Sequence, residues 1–78
     1  MYILKSQIAD RHYVGSTGKL EDRLEFHNSM HARWTRRYQP WVLRYYEEFA
    51  TRSQAVKRER YVKKLKNVKK FLEMVESE

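Results

Sequence analysis

The sequence predicts an α+β domain, a small three-stranded antiparallel sheet flanked by helices. Two short runs rich in Tyr, Ile, Leu and Val open the chain, and a third such run follows Pro40. Between and after them, apolar residues recur at helical spacing instead of alternating. With 78 residues the chain suits one domain spanning 1–78 and one small core.

Met1 to Lys5 and His12 to Gly15 read as an antiparallel hairpin, joined through the polar Ser6 to Arg11, where Asp10 is a plausible loop residue. Ser16, Thr17 and Gly18 punctuate the chain. Leu20, Leu24 and His27 then mark a helix over Lys19 to Asn28, with Arg23 on the same side. Ser29 to Pro40 carries Arg33, Trp34, Arg36 and Arg37 without periodicity and reads as a long basic loop. Trp41 to Phe49 is the third strand. Thr51 and Gln54 stand at capping-box spacing, opening a helix whose stripe is Ala55, Glu59, Val62 and Lys66. Asn67 marks a break, after which Val68, Leu72 and Val75 form a stripe of their own.

Composition narrows the function. The chain has no cysteine, which removes disulfides, thiolate metal sites and cysteine nucleophiles. It has no apolar run of the roughly 18 residues a membrane span needs, and its first residues do not form a signal-peptide core, so a cytoplasmic protein without membrane contact is the default. Charged residues make up 35% of the chain, the mean hydropathy is -0.94, and the core must be thin. Six tyrosines stand against three phenylalanines, a balance suited to a cleft that is part packed and part wet.

The net charge is +7, and Arg52 to Lys70 alone holds nine Lys or Arg against the single acid Glu59. A clustered basic face attracts a polyanion, because each neutralised phosphate releases condensed counterions; a lysine-rich helix kept soluble by its charge is the plainer alternative. Arg33, Arg36, Arg37, Arg58, Lys63 and Lys64 are the candidate phosphate contacts.

No phosphate loop, HExxH motif or serine elbow is present. Arg23 and His27, spaced i, i+4, project into one region at the rim of the core. Glu59 lies on an apolar stripe, where a carboxylate is costly unless it is paired or binds a cation. An ion pair with an arginine of the first helix or the sheet and a metal role are both open on the residues alone.

Met1-Tyr2-Ile3-Leu4, followed by Tyr13-Val14-Gly15-Ser16-Thr17, resembles the paired signature of the GIY-YIG nuclease superfamily. Leu20, Arg23 and His27 resemble its first-helix motif; Tyr45 to Phe49, then Ala55 and Glu59 with the lysines beyond, are similar to the rest of the domain. The resemblance covers nearly the whole chain in order and is closest to the small stand-alone bacterial members of the YhbQ-like kind. Met1 stands directly before Tyr2, where the family carries a glycine, and Asn67 matches by type the asparagine that some members carry near the end.

The resemblance implies a GIY-YIG-like fold and metal-dependent hydrolysis of phosphodiester bonds in DNA. Tyr2 would orient or deprotonate the attacking water, and Lys5, His27 or the metal hydroxide would draw off the tyrosine proton. Tyr13 would support the water or stack on Tyr2, Arg23 would neutralise developing charge, and Glu59 would hold one divalent cation, Mg²⁺ or Mn²⁺. The implied partner is DNA, structured or branched DNA included, and a domain of this size can act as a homodimer. The competing reading keeps the fold and the basic surface as a nucleic-acid-binding module without efficient cleavage.

Overall fold

The computed structural model describes residues 1–77; Glu78, the last position of the predicted domain, lies outside the described residues. The order is β1 (Tyr2–Ser6), β2 (His12–Gly15), α1 (Leu20–His27), a 3-10 turn (Thr35–Tyr38), β3 (Trp41–Tyr46), α2 (Arg52–Lys64) and α3 (Val68–Glu76). The three strands are antiparallel in the order β2-β1-β3. This is the predicted α+β architecture.

Each boundary has a local cause. Ser6 Oγ closes the β1–β2 connection, accepting from the Ile8 and Ala9 amides and donating to the Tyr38 carbonyl at 2.7 Å. Lys5 Nζ donates to the carbonyls of Ser6 and Ala9, so this ammonium fastens the connection. α1 is flanked by Lys19 and Asn28, the ends read from the sequence, and the predicted capping box of Thr51 and Gln54 starts α2 with both of its hydrogen bonds made. Asn67 caps α3 by accepting from the Lys70 amide at 3.0 Å, a structural use of that side chain. Lys66, expected on the α2 stripe, sits past the helix end with φ 55, the left-handed conformation that terminates helices.

The sheet separates two apolar clusters. Tyr2, Leu4 and Trp41 face α1, with Tyr13, Leu20, Leu24 and Tyr38 packed around them. Met1, Ile3 and Val14 face Val62 of α2 and Phe71 and Leu72 of α3. Trp41 and Tyr45 lie on opposite faces although Tyr45 is four positions on from Trp41, an offset that a regular strand puts on one face, because the β1–β3 ladder shifts between Ile3 and Leu4. Arg44 is the extra residue at this bulge, and it reaches Glu76 of α3 with both ends of its guanidinium, at 2.6 and 3.1 Å.

Two segments differ from expectation. β3 ends at Tyr46 instead of Phe49, since the Glu47 amide on the Met1 carbonyl, at 2.8 Å, is the last rung against β1. The stretch read as a plain basic loop contains the 3-10 turn, fixed by a buried Thr35 whose carbonyl accepts from Trp41 Nε1 at 2.7 Å.

Candidate active site

In the hairpin, Tyr2 pairs with Gly15 and Tyr13 with Leu4, which puts both rings on the α1 face. The Tyr2 ring leans across Gly15 towards Tyr13, with ring centroids 6.2 Å apart. A Cβ at Gly15 would come within 2.6 Å of the Tyr2 hydroxyl oxygen and 3.1 Å of the Tyr13 ring. Gly15 is therefore the bare patch of backbone on which the Tyr2 phenol rests.

The Tyr2 hydroxyl lies 3.1 Å from Nε2 of His27, and His27 Nδ1 lies 3.0 Å from Thr35 Oγ1. All three residues are buried, at 2%, 2% and 4% exposure. A neutral imidazole carries one donor and one acceptor nitrogen, and a hydroxyl at each end satisfies both in either tautomer. Burial first, and the Arg23 charge second, hold the His27 pKa below the ordinary histidine range, so the ring is neutral near pH 7. The Tyr2 pKa is raised, chiefly by burial; a hydrogen bond with Arg23 opposes the rise, and Tyr13 and Glu59 add to it. Arg23 itself is half-buried and covers the Phe26 ring at 4.7 Å.

Sequence reasoning missed Thr35, because its place in an aperiodic basic stretch gave no hint of burial against the first helix. Lys5 is one of the three groups named to draw off the Tyr2 proton; the structure places its ammonium on the Ser6 and Ala9 carbonyls, and His27 beside the hydroxyl.

Glu59 comes from the opposite face of the sheet and meets the end of β2. Its carboxylate accepts from Lys63 Nζ at 2.6 Å and hydrogen-bonds Ser16, the residue after Gly15. Burial pushes the carboxyl pKa up, but the hydrogen bonds from Lys63 and Ser16 outweigh it and hold it below the usual range. In place of an arginine of the first helix or the sheet, one of the two readings open on the sequence, Glu59 pairs with a lysine of its own helix, four residues on, where helical geometry brings the two together. No ion pair joins Arg23 to Glu59 among the described residues.

Beside Tyr2 a cleft of about 400 Å³ opens between Ser16, Thr17, Leu20, Tyr46 and Phe49. Tyr13, Arg23, His27 and Glu59 do not line it. Among the described residues no cluster of three or more His, Asp or Glu side chains gathers. A cation here would have one ionised, partly exposed carboxylate, a donor set that suits a magnesium-like ion completing its shell with water and phosphate oxygens.

Two predicted phosphate contacts have other work. Arg58 grips Glu47 through Nε at 2.9 Å and a second nitrogen at 3.3 Å, packed near the rings of Tyr61 and Phe71, both about 5 Å from it. Its guanidinium is a clamp between α2, α3 and the residue that follows β3; the basic run in the sequence did not reveal the acid it serves. Lys63 neutralises Glu59. Arg33, Arg36, Arg37 and Lys64 are exposed.

A family model of the GIY-YIG catalytic domain matches residues 1–71. The chain belongs to the GIY-YIG family. It is 41% identical to a UPF0213 protein of Bacillus licheniformis over 64 residues, which covers 78% of this chain and 66% of that protein. It is also 41% identical to a UPF0213 protein of Clostridium perfringens over 66 residues, covering 83% of this chain and 70% of the relative. The chain thus spans about two thirds of the length of these small bacterial relatives. No solved structure matches it significantly. The GIY-YIG family is one of nucleases that use a divalent metal and act on DNA, and no helix of the described residues is long and apolar enough to cross a membrane.

The buried histidine sets a pH test for this GIY-YIG domain. Between the ordinary histidine value of 6.5 and the lower value in the fold, the unfolded chain takes up a proton that the folded chain refuses, so stability falls as the pH drops through that window. His12, lowered by burial and by Lys5, acts in the same direction. The melting temperature should fall between about pH 7 and about pH 5, and the fall should shrink in His27→Gln. An unchanged slope would mean that His27 takes up its proton as readily in the fold as in the unfolded chain.

Proposed function

We propose that the protein is a metal-dependent DNA endonuclease that hydrolyses phosphodiester bonds with a single divalent cation. The observation that carries this reading is the neutral His27 in hydrogen-bonding distance of the buried Tyr2 hydroxyl, braced from behind by Thr35. A phenol whose own pKa is raised is a poor base until something removes its proton, and the imidazole is the group positioned to do so.

Tyr2 takes a proton from the attacking water as it passes its own to His27 Nε2. The imidazolium that forms keeps Nδ1–H on Thr35 Oγ1, which fixes the ring through the transfer. The water oxygen bonds to phosphorus, the bond to the leaving oxygen breaks, that oxygen takes a proton from solvent, and His27 returns its own to solvent. Arg23, hydrogen-bonded to Tyr2, stabilises the forming phenolate and the charge on the phosphoryl oxygens. Glu59 would hold the cation, which when bound polarises the phosphoryl group and eases departure of the leaving oxygen. Lys63 pairs with Glu59 and would have to give up that contact for the carboxylate to hold an ion. Tyr13 packs at a tilt against His27, with ring centroids 4.4 Å apart, and limits its motion. Arg33, Arg36, Arg37 and Lys64 hold the DNA backbone.

Of supercoiled, branched and single-stranded DNA, at least one should be cut in Mn²⁺ or Mg²⁺ and none in chelator. Glu59→Gln should slow cleavage by at least about a hundredfold, the scale for losing a group that stabilises charge in the transition state. The pair it gives up is a partly exposed i, i+4 contact worth about 0.3–0.5 kcal/mol, so melting should barely move. A Glu59→Gln protein that cuts normally removes the metal assignment. A wild-type protein that binds DNA and cuts none of it is a binding module.

A further inference from the structure

Trp34 is half exposed, at 51%, in a segment that is otherwise pinned. Its neighbours Ala32 and Thr35 are buried, at 1% and 4%. Gln39 ties the segment to the carbonyls of His27 and Ser29, at 2.9 and 2.7 Å. The indole leans on Tyr38 and Tyr13, with centroids 5.6 and 6.4 Å away, and Tyr13 in turn touches His27. An exposed indole on a mobile loop would call for no explanation. Here a large apolar ring is held in water on a segment anchored by buried residues and hydrogen bonds, at the outer end of a row of rings that leads to the Tyr2–His27 pair.

Arg33, Arg36 and Arg37 surround it in sequence and are exposed. Cations beside an open aromatic face suit one chemistry well, a nucleobase stacked on the ring with its flanking phosphates on the guanidiniums. A base inside a duplex presents only its edges, because its faces are covered by neighbours; an indole face needs a base that has left the stack.

We propose that Trp34 is a stacking site for an unpaired base of the DNA substrate, next to the phosphate that is cut. The proposal rests on the nucleic-acid reading above and adds the feature that selects the substrate: a single strand, a flap or a splayed junction offers the unpaired base, and an intact duplex does not. A ring already fixed in place loses little freedom on binding, which favours stacking there.

The chain has two tryptophans, and the other, Trp41, is buried at 2%, so a quench of tryptophan fluorescence by added DNA reports on Trp34. The unmodified protein is titrated in chelator, without cleavage, with an oligothymidine strand and with a blunt duplex of the same length. The strand should quench and the duplex should not. Trp34→Ala should weaken strand binding about 5- to 150-fold, the equivalent of about 1–3 kcal/mol for one stacked base, and leave duplex binding within about twofold. Trp34→Phe should keep most of the strand affinity. Equal quenching by strand and duplex, no quenching by either, or equal weakening of both by Trp34→Ala overturns the proposal, and the first two need no variant that must fold. Because chelator removes catalysis from the measurement, an inactive protein can still show stacking. A protein that cuts duplex without a Trp34 signal sinks this inference and leaves the nuclease reading intact.

Discussion

Tyr2→Phe should bind DNA as tightly as the unmodified protein and cut it at least about a hundredfold more slowly, since positioned proton transfer contributes roughly 10²–10⁴ in rate. The substitution removes one oxygen and leaves the ring, so the packing against Leu4 and Trp41 stays. What it exposes is His27 Nε2, buried and then without its partner, at a cost of about 1–3 kcal/mol. The melting temperature should drop by roughly 4–8 °C for each kcal/mol lost, so rates are compared well below the lowered midpoint, where the variant is still folded. Single-turnover cleavage, DNA affinity and melting on the same sample decide the matter. A rate that falls only in step with the folded fraction would reduce Tyr2 to a core residue.

Gly15→Ala should be nearly as damaging to cleavage, although it removes no functional group. The added methyl would sit 2.6 Å from the Tyr2 oxygen and 2.8 Å from the adjacent ring carbon, distances that force the phenol to move. Tyr13 and His27 flank the phenol, so moving it off the new methyl disturbs the contact between its hydroxyl and Nε2. Overpacking of this kind costs about 1–3 kcal/mol. Cleavage should therefore lose kcat with KM nearly unchanged, because the basic surface is untouched. A variant with normal kcat would show that the hydroxyl position is immaterial.

Much of this was legible in the residues. Leu20, Leu24 and His27 at helical spacing placed α1 within a residue at each end, and the Thr51–Gln54 pair located the start of α2 through hydrogen bonds made within one turn. What local pattern could not show was anything set by pairing across the fold. The bulge at Arg44 decides which faces Trp41 and Tyr45 take, and it depends on the register against β1. Arg58 looked like one more cation on a basic helix until β3 brought Glu47 to it. Glu59 was recognised as an acid in need of company, yet its partners, Lys63 and Ser16, are set by rotamer choice and by where β2 ends. Thr35 was invisible because burial of a threonine in a basic loop leaves no trace in spacing.

Tyr2 and His27 are 2% exposed, and they are at once part of the core and the heart of the proposed chemistry. In larger enzymes a site can be carved from loops and lost while the scaffold stands. This chain has no such separation: the atoms that would move a proton are atoms whose burial holds the sheet to α1. On the proposed reading there is then no partly melted form that still cuts, and the rate of cutting serves as a gauge of how much of the protein is folded.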